Sequence, residues 1–263
     1  LLFYDPDLPA IAPSPNDTIG LFSGIQHLAL RSDWGPEAIH ALWLNGPANT
    51  HHNHQHLNSL TISAFGRRLL IEPGKYDYRH SRDPRRLAVC HNTLLAGGDE
   101  QAWTLDPREW CRRLRAGQWG TVYGLFERLR RVAGTVVATG RVFNAYPGRV
   151  AQFDRTLAFL DRRAFFLHDA VVGETEALPD LAWHFHSGGT LERSPAGAVL
   201  GNGPARLAIR VHAALPVELG VEAGPTELPD GPAIPRLTVR CAPRGRRCRP
   251  GRAGRAFRRP HRP

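Results

Sequence analysis

The chain has 263 residues, 42% of them hydrophobic, and a formal net charge of +10 at pH 7. This length is enough for one large all-β domain. No run of eighteen or more apolar residues occurs, which excludes a membrane-spanning helix, and no signal-peptide pattern opens the chain.

Residues 1–16 are rich in proline and aspartate, and the chain contains no methionine, even at position 1. We therefore expect a fragment in which residues 1–20 form a linker from a missing N-terminal part. The folded domain is predicted to occupy residues 21–239.

Apolar runs separated by turn residues predict strands along this domain. They fall at 27–31, 41–44, 57–71, 121–126, 134–143, 150–160, 164–172, 181–185, 198–200 and 207–213. Helical periodicity is confined to 36–43 and 125–132. The spacing of strands and turns predicts an antiparallel all-β fold.

Four of the thirteen histidines lie within 51–56, directly ahead of the apolar stretch 57–71. In an extended strand alternate side chains share a face, so His52, His54 and His56 would project together. Imidazole is the commonest metal ligand and carries protons near neutral pH, so the cluster indicates a functional site. The alternative is a solvated, histidine-rich loop.

A carboxylate and a further histidine follow this cluster along the chain. Glu72 ends the apolar stretch just before a Pro-Gly turn, and His91 comes after a basic loop. Two histidines and a carboxylate from separate strands are a common zinc ligand set, so His54, Glu72 and His91 are the candidate ligands. The turn fixes where the carboxylate points, and Tyr76 and Tyr78 beyond it are candidates for the same site.

These residues resemble the C-terminal domain of the heparinase II/III-like polysaccharide lyases. The matching segments are His-Asn-His-Gln-His-Leu-Asn-Ser at 52–59, Gly-Arg-Arg-Leu-Leu-Ile-Glu-Pro-Gly-Lys-Tyr-Asp-Tyr at 66–78, and His-Asn-Thr at 91–93, followed by Gly97, Gly98 and Gln101. The resemblance is strong over 28–101. It implies a large antiparallel β-sandwich packed against an N-terminal helical toroid, with the catalytic cleft between them.

The resemblance also implies an activity and a role for each matching residue. The activity is β-elimination on a uronate-containing anionic polysaccharide, with His52 and either Tyr76 or Tyr78 taking part in proton transfer. The implied ligands of zinc, or of another divalent cation, are His54, Glu72 and His91.

Two departures from the family pattern bear on the metal. His56 stands where the family has the aspartate of His-x-His-x-Asp, and Glu72 stands where it has the aspartate after the strand. The additional imidazole of His56 either joins the metal or displaces an expected ligand.

The loop after Tyr78 carries four arginines. A loop of this kind beside a site can hold the carboxylates or sulfates of an acidic polymer, although a solvated loop is the alternative. The candidate substrate-binding residues are Arg79, Arg82, Arg85 and Arg86.

The resemblance implies that the partners are an anionic polysaccharide and the missing toroid domain of the same protein, in the periplasm or cell envelope. We expect the domain by itself to be inactive. A competing interpretation is a metal-stabilised carbohydrate-binding or structural domain without catalysis.

Several other residues are expected to be structural. His184 and His186 share a strand face and indicate packing, and Arg155 with Asp169 indicates a paired strand feature. Cys90 is expected to be a small core residue that faces away from the metal.

The positive charge is concentrated at the C-terminal end. Residues 240–263 contain ten arginines and no acidic residue, so the other 24 Lys+Arg balance the 24 Asp+Glu. Such a tail is able to bind nucleic acid or an anionic polysaccharide. Its Arg, Pro, Gly, Ala and Cys composition is also what GC-rich codons yield in a wrong reading frame. We expect a disordered or frame-shifted tail and no nucleic-acid partner.

Overall fold

The computed structural model describes residues 7–9, 11–49, 53–73, 84–118, 120–132, 134–226 and 231–243. The strands are β1 (Ile19–Phe22), β2 (His27–Arg31), β3 (His40–Leu44), β4 (Gly46–Pro47), β5 (Ser59–Ala64), β6 (Arg67–Leu70), β7 (Leu94–Ala96), β8 (Tyr123–Val132), β9 (Thr135–Phe143), β10 (Val150–Leu160), β11 (Ala164–Gly173), β12 (Leu181–His186), β13 (Thr190–Ser194), β14 (Gly197–Asn202), β15 (Ala205–Arg210), β16 (Glu218–Thr226) and β17 (Ala233–Cys241). The helices are α1 (Pro107–Arg115) and two 3-10 turns, Pro84–Arg86 and Ala88–Cys90.

Within the described residues the strands form four sheets, and neighbouring strands pair antiparallel. Sheet A has the order β1-β2-β3-β5-β6, sheet B β11-β10-β9-β8-β4, sheet C β16-β17-β12-β7 and sheet D β13-β14-β15. The predicted all-β, antiparallel class is confirmed. The expected single large sandwich is met only in part, because the strands divide among four sheets.

Alternating burial along the strands shows how the sheets pack together. Burial alternates at every residue of β2 and β9, as expected for strands with one face on a core. Inward side chains from all four sheets meet in one apolar core, which includes Leu28, Trp43, Leu60, Leu70, Val136, Leu157, Phe159, Ala198, Leu200, Leu237 and Val239. Since this core joins distant segments, it sets the positions of the loops between the strands.

Neither stretch of helical periodicity forms a helix. Residues 36–43 form a turn and most of β3, and residues 125–132 belong to β8. The apolar spacing of β8 imitates a helix, but the strand pairs with β9 from Tyr123 to Val132 around a bulge at Phe126/Arg128. Tertiary pairing therefore overrides the local pattern.

The α-helix of the described part, α1, was not predicted. Asp106 caps it by accepting hydrogen bonds from the backbone N–H groups of Arg108 (2.9 Å) and Glu109 (3.1 Å), and Pro107 occupies its first turn. Charged pairs such as Glu109 with Arg112 support the helix in place of a broad apolar face. The Asp-Pro start signal was available in the sequence.

The first described strand, β1, begins at Ile19, and the last, β17, ends at Cys241, two residues outside the predicted bounds 21 and 239. The division into 1–20, 21–239 and 240–263 itself stays a prediction. Within the residues that the structure describes, no helix has the length and apolar character needed to cross a membrane.

Candidate metal centre

Three imidazoles converge beside the start of β5. His54 and His56 lie in the loop that leads into β5, and His91 follows the 3-10 turn Ala88–Cys90. One ring nitrogen from each histidine lies within 4.8 Å of the other two. The ring centroids are 5.2 Å apart for His54 and His91, 5.7 Å for His56 and His91, and 6.0 Å for His54 and His56. The structure thus brings together two of the candidate ligands and adds His56 to them.

The backbone around these histidines differs from the expected one. The loop residues His54 and His56 are not in a strand, and His91 lies three residues ahead of β7. Cys90 is buried, 4% exposed, at the end of the 3-10 turn and not on a strand. The histidine cluster is therefore assembled by loops that are anchored to the sheets.

Glu72 lies two residues beyond β6 and contacts the cluster through its carboxylate. Oε1 accepts a hydrogen bond from Ser59 Oγ, and Oε2 accepts one from His91 Nδ1. A carboxylate only accepts, so Nδ1 of His91 carries the proton and Nε2 carries the lone pair. Nε2 is buried and has no hydrogen-bond partner among the described residues. This nitrogen is available to a metal ion.

Gln101 holds the loop that carries His54 and His56. Its Oε1 accepts from the backbone N–H of Leu57 (2.9 Å), and its Nε2 donates to the carbonyl of the same residue (3.0 Å). The Thr93 hydroxyl also donates to this carbonyl at 2.7 Å. The buried side-chain amide of Gln101 therefore satisfies the backbone N–H and carbonyl of Leu57, which pair with no strand of the described part.

Asn92 ties the second half of the site to the core. Its Nδ2 donates to the carbonyls of Leu60 (2.9 Å) and Ile71 (2.8 Å), and its Oδ1 accepts from the backbone N–H of His186 (2.8 Å). Asn92 is fully buried. Because it follows His91 and binds the residue before Glu72, it fixes both partners of the His91–Glu72 contact.

The imidazoles of His56 and His91 are neutral near pH 7. Burial, with smaller contributions from the nearby imidazoles of His54 and His27, lowers the pKa of His56 to about 3. Burial holds the pKa of His91 well below its usual value, with smaller contributions from His56 and His54. The neutral ring is the form that binds a metal ion.

The donor set fits a zinc-like cation. Tetrahedral zinc holds nitrogens at about 2.0–2.1 Å, which places neighbouring donors about 3.3 Å apart. Nitrogens within 4.8 Å of one another need to approach by at most about 1.5 Å to reach that spacing. Imidazole donors suit zinc, copper, nickel or iron, whereas calcium and magnesium prefer oxygen.

A cleft of about 270 Å³ opens beside Glu72. Its lining residues from β3 and β5 alternate with the buried Trp43, Leu60 and Ile62, so this part of the cleft lies on the face of sheet A opposite the core. It offers an apolar floor, two hydroxyls and one guanidinium, from Leu42, Leu44, Thr61, Ser63, Arg68, Leu70 and Ile71. This combination of groups suits a polar ligand with an acidic substituent.

Five predicted site residues lie outside the described part of the chain: His52, Tyr76, Tyr78, Arg79 and Arg82. Arg85 is described and is 8% exposed. Arg86 donates through Nε and Nη2 to the carbonyl of Asn53, each at 3.3 Å, and its guanidinium carbon lies 4.7 Å from the ring centroid of Trp103. The structure thus places Arg86 against the histidine loop.

His184 and His186 belong to the interior of sheet C. They are 4% and 0% exposed, and Nδ1 of His186 lies 3.1 Å from Oδ1 of Asn92. Burial lowers the pKa of each to about 3. Both side chains are packed in the interior.

Sequence reasoning missed the supporting roles of Ser59, Asn92 and Gln101. All three fall within the motif segments, but hydrogen bonds between distant residues leave no local pattern. His56 was expected to share a face with His54 because of their two-residue spacing, and joining the metal was one of the two alternatives for it. The structure places it in the cluster.

The chain belongs to the heparinase II/III-like, C-terminal family, whose model matches residues 23–253. Its fold is similar to heparan sulfate lyase HepC from Pedobacter heparinus, with a TM-score of 0.69 and 16% identity over 86% of this chain and 34% of that chain. It is also similar to a heparinase III gene product, with a TM-score of 0.65 and 15% identity over 86% of this chain and 36% of that chain. No curated protein matches.

The chain spans about a third of the length of these solved structures. At 15–16% identity, the likeness to them establishes the fold alone.

Proposed function

We propose that this chain is the C-terminal domain of a polysaccharide lyase that cleaves a uronate-containing anionic polysaccharide by β-elimination. The observation that carries the proposal is the histidine cluster and its Glu72 contact at the edge of an open cleft in a chain of this family. The similar solved proteins are named as heparan sulfate lyase and heparinase III, which supports this class of substrate.

The reaction needs a base and an acid near the sugar carboxylate. A base removes the proton from the carbon next to the carboxylate, and the released electron pair forms a carbon–carbon double bond. The bond to the glycosidic oxygen breaks, and an acid protonates the departing oxygen. Histidine and tyrosine suit these two roles, which we assign to His52 and to Tyr76 or Tyr78. Neutralising the carboxylate favours loss of the proton.

We also assign residues to substrate binding and to the cation. Arg79, Arg82, Arg85 and Arg86 are the proposed groups that hold acidic substituents of the polymer. His54, Glu72 and His91, the predicted ligands, belong to one site, and zinc or another divalent cation held there would supply a fixed positive charge. Further catalytic groups come from an N-terminal toroid domain, and the protein acts in the periplasm or cell envelope.

The test uses the full-length protein that contains this chain. It is incubated with heparan sulfate, hyaluronan and alginate while the ultraviolet absorbance of the unsaturated uronate is followed. We expect a rise with one of these polymers, and His52→Ala should abolish it. His168→Ala is the matched control, because it removes an exposed imidazole from β11.

Two outcomes would decide against the lyase. Absorbance that stays flat with every polymer, while one of them binds in a pull-down assay, would favour a metal-stabilised binding domain without catalysis. Unchanged turnover in His52→Ala would remove His52 from the proposed chemistry.

A further inference from the structure

We propose that the cation of this domain is bound by three imidazoles, those of His54, His56 and His91, and that Glu72 orients His91 without contacting the ion. The inference rests on the proposed metal site but not on lyase activity. It gives His56 a role and moves Glu72 from ligand to supporting residue.

The first support is the position of His56. One of its ring nitrogens lies within 4.8 Å of a ring nitrogen of His54 and of one of His91. Its ring faces that of His91 edge-on, with the planes 80° apart. The rings of the three histidines form a nearly equilateral triangle with sides of 5.2–6.0 Å. A triangle of donors leaves one tetrahedral position open, as in zinc sites with three protein ligands.

The second support is that both oxygens of Glu72 are already engaged. One accepts from Ser59 Oγ and the other from His91 Nδ1. The Ser59 oxygen in turn accepts from the backbone N–H of Asn92 at 2.9 Å. The carboxylate is therefore part of a hydrogen-bonded chain that ends in the buried core. As a ligand, it would have to give up its contact with His91.

The third support is the orphan nitrogen of His91. With Nδ1 donating to Glu72, the lone pair lies on Nε2, and that atom is buried and has no partner in the described part of the chain. An unmade hydrogen bond at a buried nitrogen costs free energy, which a metal ligand bond would offset. A histidine that gives one nitrogen to a carboxylate and the other to a metal is the usual arrangement in zinc sites.

The exchange of ligands changes the position of the negative charge and leaves the total charge of the site the same. As a ligand, Glu72 would place its carboxylate directly on the cation, whereas as the partner of His91 its carboxylate lies on the far side of that imidazole. The cation would then be less screened at its open position and would attract an acidic ligand more strongly.

The test compares metal binding in the chelator-stripped full-length protein and its variants, using Zn²⁺ for affinity and Co²⁺ for visible absorption. We expect His56→Asn to weaken Zn²⁺ binding by at least about 100-fold, as loss of a ligand should. Glu72→Gln keeps a group that accepts from His91, so we expect a loss of about 10–100-fold with an unchanged Co²⁺ spectrum. His168→Ala is the control for removing an imidazole elsewhere.

X-ray absorption of the Zn²⁺-loaded protein counts the imidazoles directly. Three imidazole ligands in the wild type and two in His56→Asn would support the proposal. The proposal would be overturned if the wild type had two imidazole ligands, His56→Asn kept wild-type Zn²⁺ affinity and Glu72→Gln lost Zn²⁺ binding. Circular dichroism of each variant in chelator shows whether it is folded before metal is added. Because no turnover is measured, a failure of the lyase assay leaves this result intact.

Discussion

Arg155 and Asp169 form a bidentate ion pair between β10 and β11, with Nε–Oδ1 and Nη2–Oδ2 distances of 2.8 and 2.7 Å. Arg155 is fully buried. Its Nη1 also donates to the carbonyls of Asn58 (2.6 Å) and Asn92 (2.9 Å). These two carbonyls lie on the two segments that carry the histidine cluster. The ion pair therefore connects the interior of sheet B to the candidate metal centre.

Breaking this pair should be strongly destabilising. We expect Arg155→Met to lower the free energy of unfolding by about 3–5 kcal/mol, because the Asp169 carboxylate loses its cation and two backbone carbonyls lose their donor. Urea unfolding measures the change. The control is Arg141→Met, which breaks the partly exposed pair of Arg141 with Asp154 and should cost at most about 1 kcal/mol. Equal losses in the two variants would contradict the structural role of Arg155.

Removing the amide of Gln101 should loosen the histidine loop. Gln101→Ala leaves the buried N–H and carbonyl of Leu57 without this partner, so we expect a loss of about 1–3 kcal/mol in stability. We also expect weaker Zn²⁺ binding, since His54 and His56 are no longer held in place. Urea unfolding in chelator and Zn²⁺ titration separate the two effects. Unchanged Zn²⁺ affinity would show that the loop is held by its other contacts.

Gly140 makes room for a buried pair of asparagines. A Cβ at this position would lie 2.5 Å from Asn58 Oδ1 and 2.6 Å from Asn45 Nδ2, which are joined by a 3.0 Å hydrogen bond. We therefore expect Gly140→Ala to cost about 1–3 kcal/mol through overpacking. Gly24→Ala is the matched control, because nothing lies within 4 Å of its added Cβ. Thermal unfolding of both variants checks this, and equal melting temperatures would contradict it.

The buried histidines predict loss of stability in mild acid. The pKa of His184 is lowered to about 3 by burial, so between pH 6.5 and 3 the unfolded chain binds a proton that the folded chain does not. Stability is therefore complete above pH 6.5 and falls as the pH is lowered. For His184 we expect a loss of about 1.5 kcal/mol between pH 6.5 and 5.

Urea unfolding at these two pH values, in chelator, measures the loss. His184→Gln should reduce the pH dependence by this amount, whereas His168→Gln, on the exposed side of β11, should leave it unchanged. An identical pH dependence in wild type and His184→Gln would contradict the prediction.

The strand pattern was largely readable from the sequence. The predicted strand 27–31 agrees with β2 and 150–160 with β10, because one face of each strand is apolar and the alternation is local. β16 and β17 were not predicted. The first part of β8 lies in the predicted strand 121–126, whereas 125–132 was a helix candidate, because the outer half of β8 is exposed and carries no alternation.

The sequence by itself determined the all-β class, the family resemblance and the histidine-rich segment, since each depends on residue types at short spacings along the chain. Only the tertiary structure decided that the strands divide into four sheets, that His56 joins His54 and His91, and that Glu72 accepts from Ser59 and His91. These relationships depend on where the common core holds distant loops. Because side-chain distances of a few ångströms are set by packing between sheets, no local pattern specifies them.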